Sequence, residues 1–254
     1  MTNYKKVKLA HYPIVIVLIV TLVYAFDWML LLGGLAVSWM FWCVGLTASL
    51  HKYTGHGSYT PKNRIIKLFL LWAGTVLTLG TAVDFAAGHR MHHKYSDTRK
   101  DPYDVTGTFW HKVKLFFYRF QTSKINPMIV KDLIKDKDHM FFNNHYWKIL
   151  IIYPMILLLI NPIYVGYFYA LPVIYAILGM GYVTVIAHLP SLHKYGLTYR
   201  YDTGDNSWNS RLFAWLLAGE GYHNTHHMYP DLWNYETKPF DIDFSAMFIA
   251  VIKK

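Results

Sequence analysis

All 25 Lys and Arg residues of this 254-residue chain fall in three stretches: three in residues 5–8, sixteen between Lys52 and Lys148, and six from Lys194 onward. None lies in residues 9–51 or 149–193, and these two windows also hold the long apolar runs. Each window has room for two passes of roughly 20 residues through a hydrocarbon core. The pattern predicts two helical hairpins, with spans at about 10–26, 28–50, 147–160 and 164–187. Asp27, the only acid of the first window, separates the first pair beside the aromatic residues Phe26 and Trp28. Asn161 and Pro162 separate the second pair, as a turn signal that helix interiors avoid. Cytoplasmic loops carry the excess of Lys and Arg, so both termini and residues 51–146 and 188–254 are expected on the cytoplasmic side of one all-α integral membrane domain, residues 1–254.

Composition agrees. Charged residues make up 16% of the chain, against roughly 25% in soluble proteins, and hydrophobic residues 54%. Disorder, a disulfide scaffold and a coiled coil are excluded on these figures. Cys43, the single cysteine, can form neither an internal disulfide nor a Cys-rich zinc site. The net charge of +10 could serve nucleic acid, but its placement beside apolar windows favours anionic lipid and an anionic substrate. Residues 5–25 have the outline of a secretory signal, yet no small-residue cleavage site follows, so a retained anchor is expected. The apolar stretch from Ile65 to Ala87, interrupted by Gly74, Gly80 and Asp84, reads as one helix at the membrane surface or against the cytoplasmic cap. The alternating charges of Lys131 to Asp138 read as a solvated face.

Thirteen of the fourteen histidines lie at or after residue 51, and eight form three clusters: His51 and His56; His89, His92 and His93; His223, His226 and His227. His11, His111, His139 and His145 stand alone and are expected to be ordinary hydrogen-bonded residues. Neutral imidazole is the commonest metal ligand, and i, i+3, i+4 spacing puts three rings on one helix face. Eight imidazoles exceed what one ion of coordination number four to six uses, so two ions are expected. On an α-helix His51 and His56 are about 140° apart, which predicts that they reach different ions. Paired Glu-x-x-His motifs of soluble di-iron bundles are lacking; Glu220 with His223 has that form once, and Glu220 is read as a carboxylate orienting a ring.

His-x4-His, His-x2-His-His and His-x2-His-His, in that order between two hairpins, resemble the membrane fatty acid desaturases. The flanks from Gly88 to Asp97, with Asp101 and Pro102 after them, and from Gly219 to Pro230 resemble the acyl-CoA delta-9 (stearoyl-CoA) subgroup, over residues 12–250. The resemblance implies a ninth histidine ligand after the fourth span. His188 continues that helix and is preferred over His193. It also implies that Asp97 and Thr184 stand behind the ligands, with Thr184 where the family has asparagine, and that Gly88 replaces an aspartate of the animal enzymes.

The implied activity is oxygen-dependent removal of two hydrogens from adjacent methylenes by two ferrous ions, giving a cis double bond at delta-9. General acid–base chemistry cannot attack such unpolarised C–H bonds, whereas one-electron oxygen chemistry at iron can. The substrate is an acyl chain on coenzyme A, acyl carrier protein or lipid. A closed apolar tunnel between the spans is expected to end around Trp39 to Gly45, with Trp42 and Leu46 limiting chain length. Arg119, with Arg64, Lys114 and Lys124, is a candidate for a substrate phosphate. No Cys-rich cluster motif or dinucleotide fingerprint is present, so a ferredoxin, cytochrome b5 or flavoprotein is expected to supply electrons. Nucleic acid binding has no support beyond pI. A di-iron membrane hydroxylase or ketolase would use the same histidines, while a metal transporter or haem conduit would place ionisable residues inside the spans.

Overall fold

The computed structural model of the chain describes residues 4–117, 125–189 and 198–254. Helix α1 (Tyr4–Tyr24) precedes α2 (Trp28–Phe41), which runs without a break into a π-helix at Trp42–Gly55. Asp27 caps α2 by accepting a hydrogen bond from the Leu30 amide at 2.8 Å. The second hairpin pairs α8 (Tyr146–Ile160) with α9 (Pro162–Val165), a π-helical turn at Gly166–Ala170 and α10 (Leu171–Thr184). Asn161 caps α9 and Pro162 occupies its first turn, as the turn signal predicts. The Tyr167 hydroxyl ties the hairpins together, accepting from the Asp27 amide (2.8 Å) and donating to the Ala25 carbonyl (3.0 Å).

Among the described residues three helices are long and apolar enough to cross a membrane: Lys6–Tyr24, Trp28–Gly55 and Pro162–His188. The fourth expected span, α8, has 15 residues, or about 22 Å at 1.5 Å per residue, against a hydrocarbon core of about 30 Å. Outward-facing Ile16, Ile19, Val23, Leu32, Ile152 and Leu159 are exposed, which suits surfaces bathed in lipid rather than water.

The stretch expected as one helix over residues 65–87 is two. Helix α3 (Arg64–Val76) and α4 (Ala82–Tyr95) are separated where Thr78 and Gly80 take positive φ values of 58° and 96°. Thr81 then caps α4 by accepting from the Asp84 amide. Helix α3 buries Leu70, Leu71 and Ala73 against the π-helix and leaves Ile65 and Phe69 exposed.

Helices α5 (Phe109–Phe117), α6 (Lys131–Lys135) and α7 (Lys137–Asn144) complete the middle segment. The charge run on α6 and α7 is more than a solvated face. Asp132 pairs with Arg90, and Asp136 and Asp138 pair with Lys67, Asp138 also taking Arg64. After residue 198 come α11 (Arg211–Leu216), α12 (His223–Met228) and α13 (Phe244–Ile252). The expectation of an all-α chain needs one correction: β1 (Thr198–Tyr199) pairs antiparallel with β2 (Asn209–Ser210).

Candidate metal centre

Four elements converge at one end of the bundle: the π-helix end brings His51 and His56, α4 brings His89, His92 and His93, the turn after α10 brings His188, and α12 brings His223, His226 and His227. Their ring nitrogens form two sets, each within 4.8 Å: His51, His56, His89 and His226; and His92, His188, His223 and His227. Nε2 of His93 lies 2.6 Å from Nε2 of His226, which joins it to the first set, while its ring stacks on His227.

Placing His51 and His56 in one set overturns the expectation that they serve different ions. The reason is the π-helix. Its i→i+5 bond, here from the His56 amide to the His51 carbonyl at 3.1 Å, widens each turn so that residues five apart return to nearly the same side. Their ring centroids are 5.3 Å apart. The two triplets split in mirror fashion. His89 and His93 of α4 face the first set and His92 the second, whereas His223 and His227 of α12 face the second and His226 the first. Each i, i+4 pair shares a set and the i+3 ring crosses over.

Behind the rings stand acceptors for Nδ1. Glu220 is 2.6 Å from Nδ1 of His51, Asp101 2.9 Å from that of His92, Asp97 3.0 Å from that of His188 and Asp205 2.7 Å from that of His227. The Tyr235 hydroxyl lies 2.9 Å from Nδ1 of His226. Asp97 holds its place at a positive φ of 57°, a conformation that aspartate tolerates better than most residues. Burial alone would raise the carboxyls of Asp97 and Asp205, but the His188 and His227 rings beside them hold both below the usual range. Burial, reinforced by neighbouring imidazoles, pushes His89, His93, His223 and His226 well below the ordinary histidine range. It takes His227 down to about 4 although Asp205 pulls the other way.

These five rings are therefore favoured in their neutral form. A neutral ring that gives its Nδ1 proton to a carboxylate leaves a lone pair on Nε2. These lone pairs face one another: Nε2 to Nε2 is 3.0 Å for His51 and His226, 2.6 Å for His56 and His89, 2.8 Å for His188 and His223, and 3.2 Å for His92 and His227. Converging lone pairs repel unless a cation lies among them. First-row ion–imidazole bonds of about 2 Å bring bound nitrogens to roughly 3–4 Å of one another. The donor set thus fits two transition-metal ions.

A narrow slot opens on the rings between the π-helix, α4 and α10, walled by Leu46, Phe85, Met180, Val183 and Thr184, with Glu220 at its polar end. Its free volume is about 10 Å³, room for about one water. Leu46 lines this slot and Trp42 does not. The Trp42 indole packs on Gly179, beside the Met180 wall, and donates to the Leu217 carbonyl at 2.8 Å. Thr184 faces the slot but spends its hydroxyl proton on the Met180 carbonyl. Arg64 is engaged with Asp138. Arg119, Lys124 and His193 lie outside the described residues. The four solitary histidines have ordinary partners: His11 the Thr78 carbonyl, His111 the Asp104 carbonyl, His145 the Phe141 carbonyl and His139 the Thr54 hydroxyl.

Sequence reasoning missed Asp101, Asp205 and Tyr235. Asp101 was visible as an acid nine residues beyond His92, but without a role. Asp205 and Tyr235 have no histidine within ten and seven residues respectively, and nothing local marks them.

The family model described as fatty acid desaturase matches residues 26–239. The chain is 29% identical over 232 residues to the sn-1 stearoyl-lipid 9-desaturase of Anabaena variabilis, covering 90% of this chain and 82% of that protein. It is 26% identical over 210 residues to the sn-1 stearoyl-lipid 9-desaturase of Synechocystis sp., covering 82% and 64%. With the stearoyl-CoA desaturase of Bos taurus it shares 28% over 243 residues, covering 89% and 63%, so it spans under two thirds of the last two relatives.

Proposed function

Because this chain belongs to the fatty acid desaturase family, we propose that it is an oxidoreductase that uses O2 and a di-iron centre to place a cis double bond, at delta-9, in a saturated acyl chain. The observation that carries this reading is the convergence of nine imidazoles, from four separate elements, into two adjacent ring sets. In this reading His51, His56, His89, His93 and His226 hold one ion and His92, His188, His223 and His227 the other. Iron in these positions supplies one-electron oxygen chemistry strong enough for an unactivated C–H bond.

The protein's own groups supply position. Leu46, Phe85, Met180 and Val183 face the rings with hydrocarbon, so they hold a methylene pair against the centre and keep water from it. Positioning of this kind lets two adjacent carbons react and not their neighbours. The slot is too narrow as it stands for an alkyl chain. Glu220 and Asp101 accept the Nδ1 protons of His51 and His92 and fix those ring tautomers, while Asp97 and Asp205 stand at ion-pair distance from Nδ1 of His188 and His227. The acyl carrier is coenzyme A, acyl carrier protein or lipid, and an external ferredoxin, cytochrome b5 or flavoprotein delivers electrons. The domain, residues 1–254, spans the membrane four times, α8 being the short span, with both termini and the metal centre on the cytoplasmic side.

The fatty acid profile of cells expressing the chain, compared with a His92→Ala variant, tests this. A new monounsaturated species that the variant fails to make is expected. Hydroxylated product without new double bonds would establish the hydroxylase reading instead, and identical profiles would remove both.

A further inference from the structure

The carboxylates behind the rings are shared unequally. Three stand behind the second set, Asp97 at His188, Asp101 at His92 and Asp205 at His227, and their side chains are only 7%, 0% and 8% exposed. One carboxylate, Glu220 at His51, stands behind the first set, where His226 meets the neutral Tyr235 hydroxyl instead. Cations lie near both sets, Arg200 donating to the Asp205 carbonyl beside the second. Lys52 lies 4.0 Å from the centre of the Tyr235 ring, and Arg90 donates to the Thr54 and Gly55 carbonyls beside His56. Lys52 and Arg90 each have their own carboxylate, Asp243 and Asp132.

Asp97, Asp101 and Asp205 form no ion pair with Lys or Arg among the described residues. Apart from the rings, their side chains accept from backbone amides and hydroxyls: Asp97 from Asn206, Asp101 from Asp97 and Tyr103, Asp205 from Ser207 and Thr203. A buried anion without a countercharge is costly, and three around one ring set demand a cation within it. The first set asks for far less, since Glu220 is its only such anion among the described residues.

We propose that the two metal positions differ in affinity: the ion among His92, His188, His223 and His227 is held tightly, and the ion among His51, His56, His89, His93 and His226 exchanges. This rests on the reading that each set holds an ion. The fifth ring of the first set adds one neutral donor and no charge. The second set gains two further carboxylates acting through its rings, and partners of that kind are worth about 10–100-fold each in metal affinity.

The test is a chelator titration of the full chain in detergent, loaded anaerobically with ferrous iron, with iron remaining per chain measured by elemental mass spectrometry. Release in two phases is expected, with half-release chelator concentrations at least about 10-fold apart. Asp101→Asn and Asp205→Asn should each bring the late phase forward and leave the early one, and either variant suffices if the other does not fold. Glu220→Gln should advance the early phase alone, and Tyr235→Phe should leave the late phase where it is. Release of both ions in one phase, or an early phase advanced by the aspartate variants while the late one stays, overturns the proposal. Wild-type protein that takes up no iron would instead bring down the metal reading beneath it.

Discussion

At the scale of the residue, Lys52 shows how far a side chain's role departs from its sequence neighbourhood. It lies next to His51 among the sixteen cations of the middle stretch, yet its side chain is fully buried, with Nζ 2.6 Å from Asp243, 2.7 Å from the Ser245 hydroxyl and 2.9 Å from the Trp233 carbonyl. Asp243 also accepts from the Tyr235 amide at 3.0 Å, so the pair sets the ring whose hydroxyl meets His226. Lys52→Met strands Asp243 as an uncompensated buried anion. Removing one partner of a buried pair costs about 3–5 kcal/mol, so the thermal midpoint in detergent should fall sharply. The double variant Lys52→Met with Asp243→Asn should recover part of the loss, and a double variant no better than the single would refute this account. The histidines themselves were legible at this scale because clustering is a local property. Asp205 and Tyr235 were not, because their partners lie 22 and 9 residues away on another element.

Elements decide how those residues are aimed. The π-helix at Trp42–Gly55 is what brings His51 and His56 into one ring set. An i, i+5 spacing carries no sign of the hydrogen-bond pattern beneath it, so α-helical arithmetic led the wrong way. π-helical turns are rare and gather at functional sites, in keeping with its place here. The break between α3 and α4 has a comparable effect, since it sets the direction in which α4 presents His89, His92 and His93. Gly80, at φ 96°, has open space around it, the nearest side-chain atom to an added Cβ being 3.8 Å away on Asp84. Gly80→Ala therefore probes backbone conformation alone. It should destabilise by more than about 1 kcal/mol, measured as a lowered unfolding midpoint, and an unchanged midpoint would show that the turn relaxes freely. Gly80 was visible in the sequence as an interruption, but an interruption alone does not tell a kink from a full break.

Taken as a whole, the molecule is a set of apolar helices joined at one end through imidazoles. The two ring sets link the π-helix, α4, the end of α10 and α12, so metal binding should stabilise the entire arrangement. Ligands that bind only the folded state add about 2.7 kcal/mol at 100 times their Kd. Stripping the iron should lower the thermal midpoint in detergent and restoring ferrous iron should raise it again; a midpoint indifferent to iron would mean that the elements assemble independently of the centre. The sequence by itself determined the apolar windows, the hairpin turns at Asp27 and Asn161 and the identity of eight clustered histidines, because hydrophobic length, capping and helical spacing are written over a few neighbouring residues. Only the tertiary structure decided which ring joins which set, which carboxylate stands behind it and how Lys52 finds Asp243. Those pairings depend on the relative rotation of helices as much as 191 residues apart, and periodicity states which face a helix offers, never what will face it.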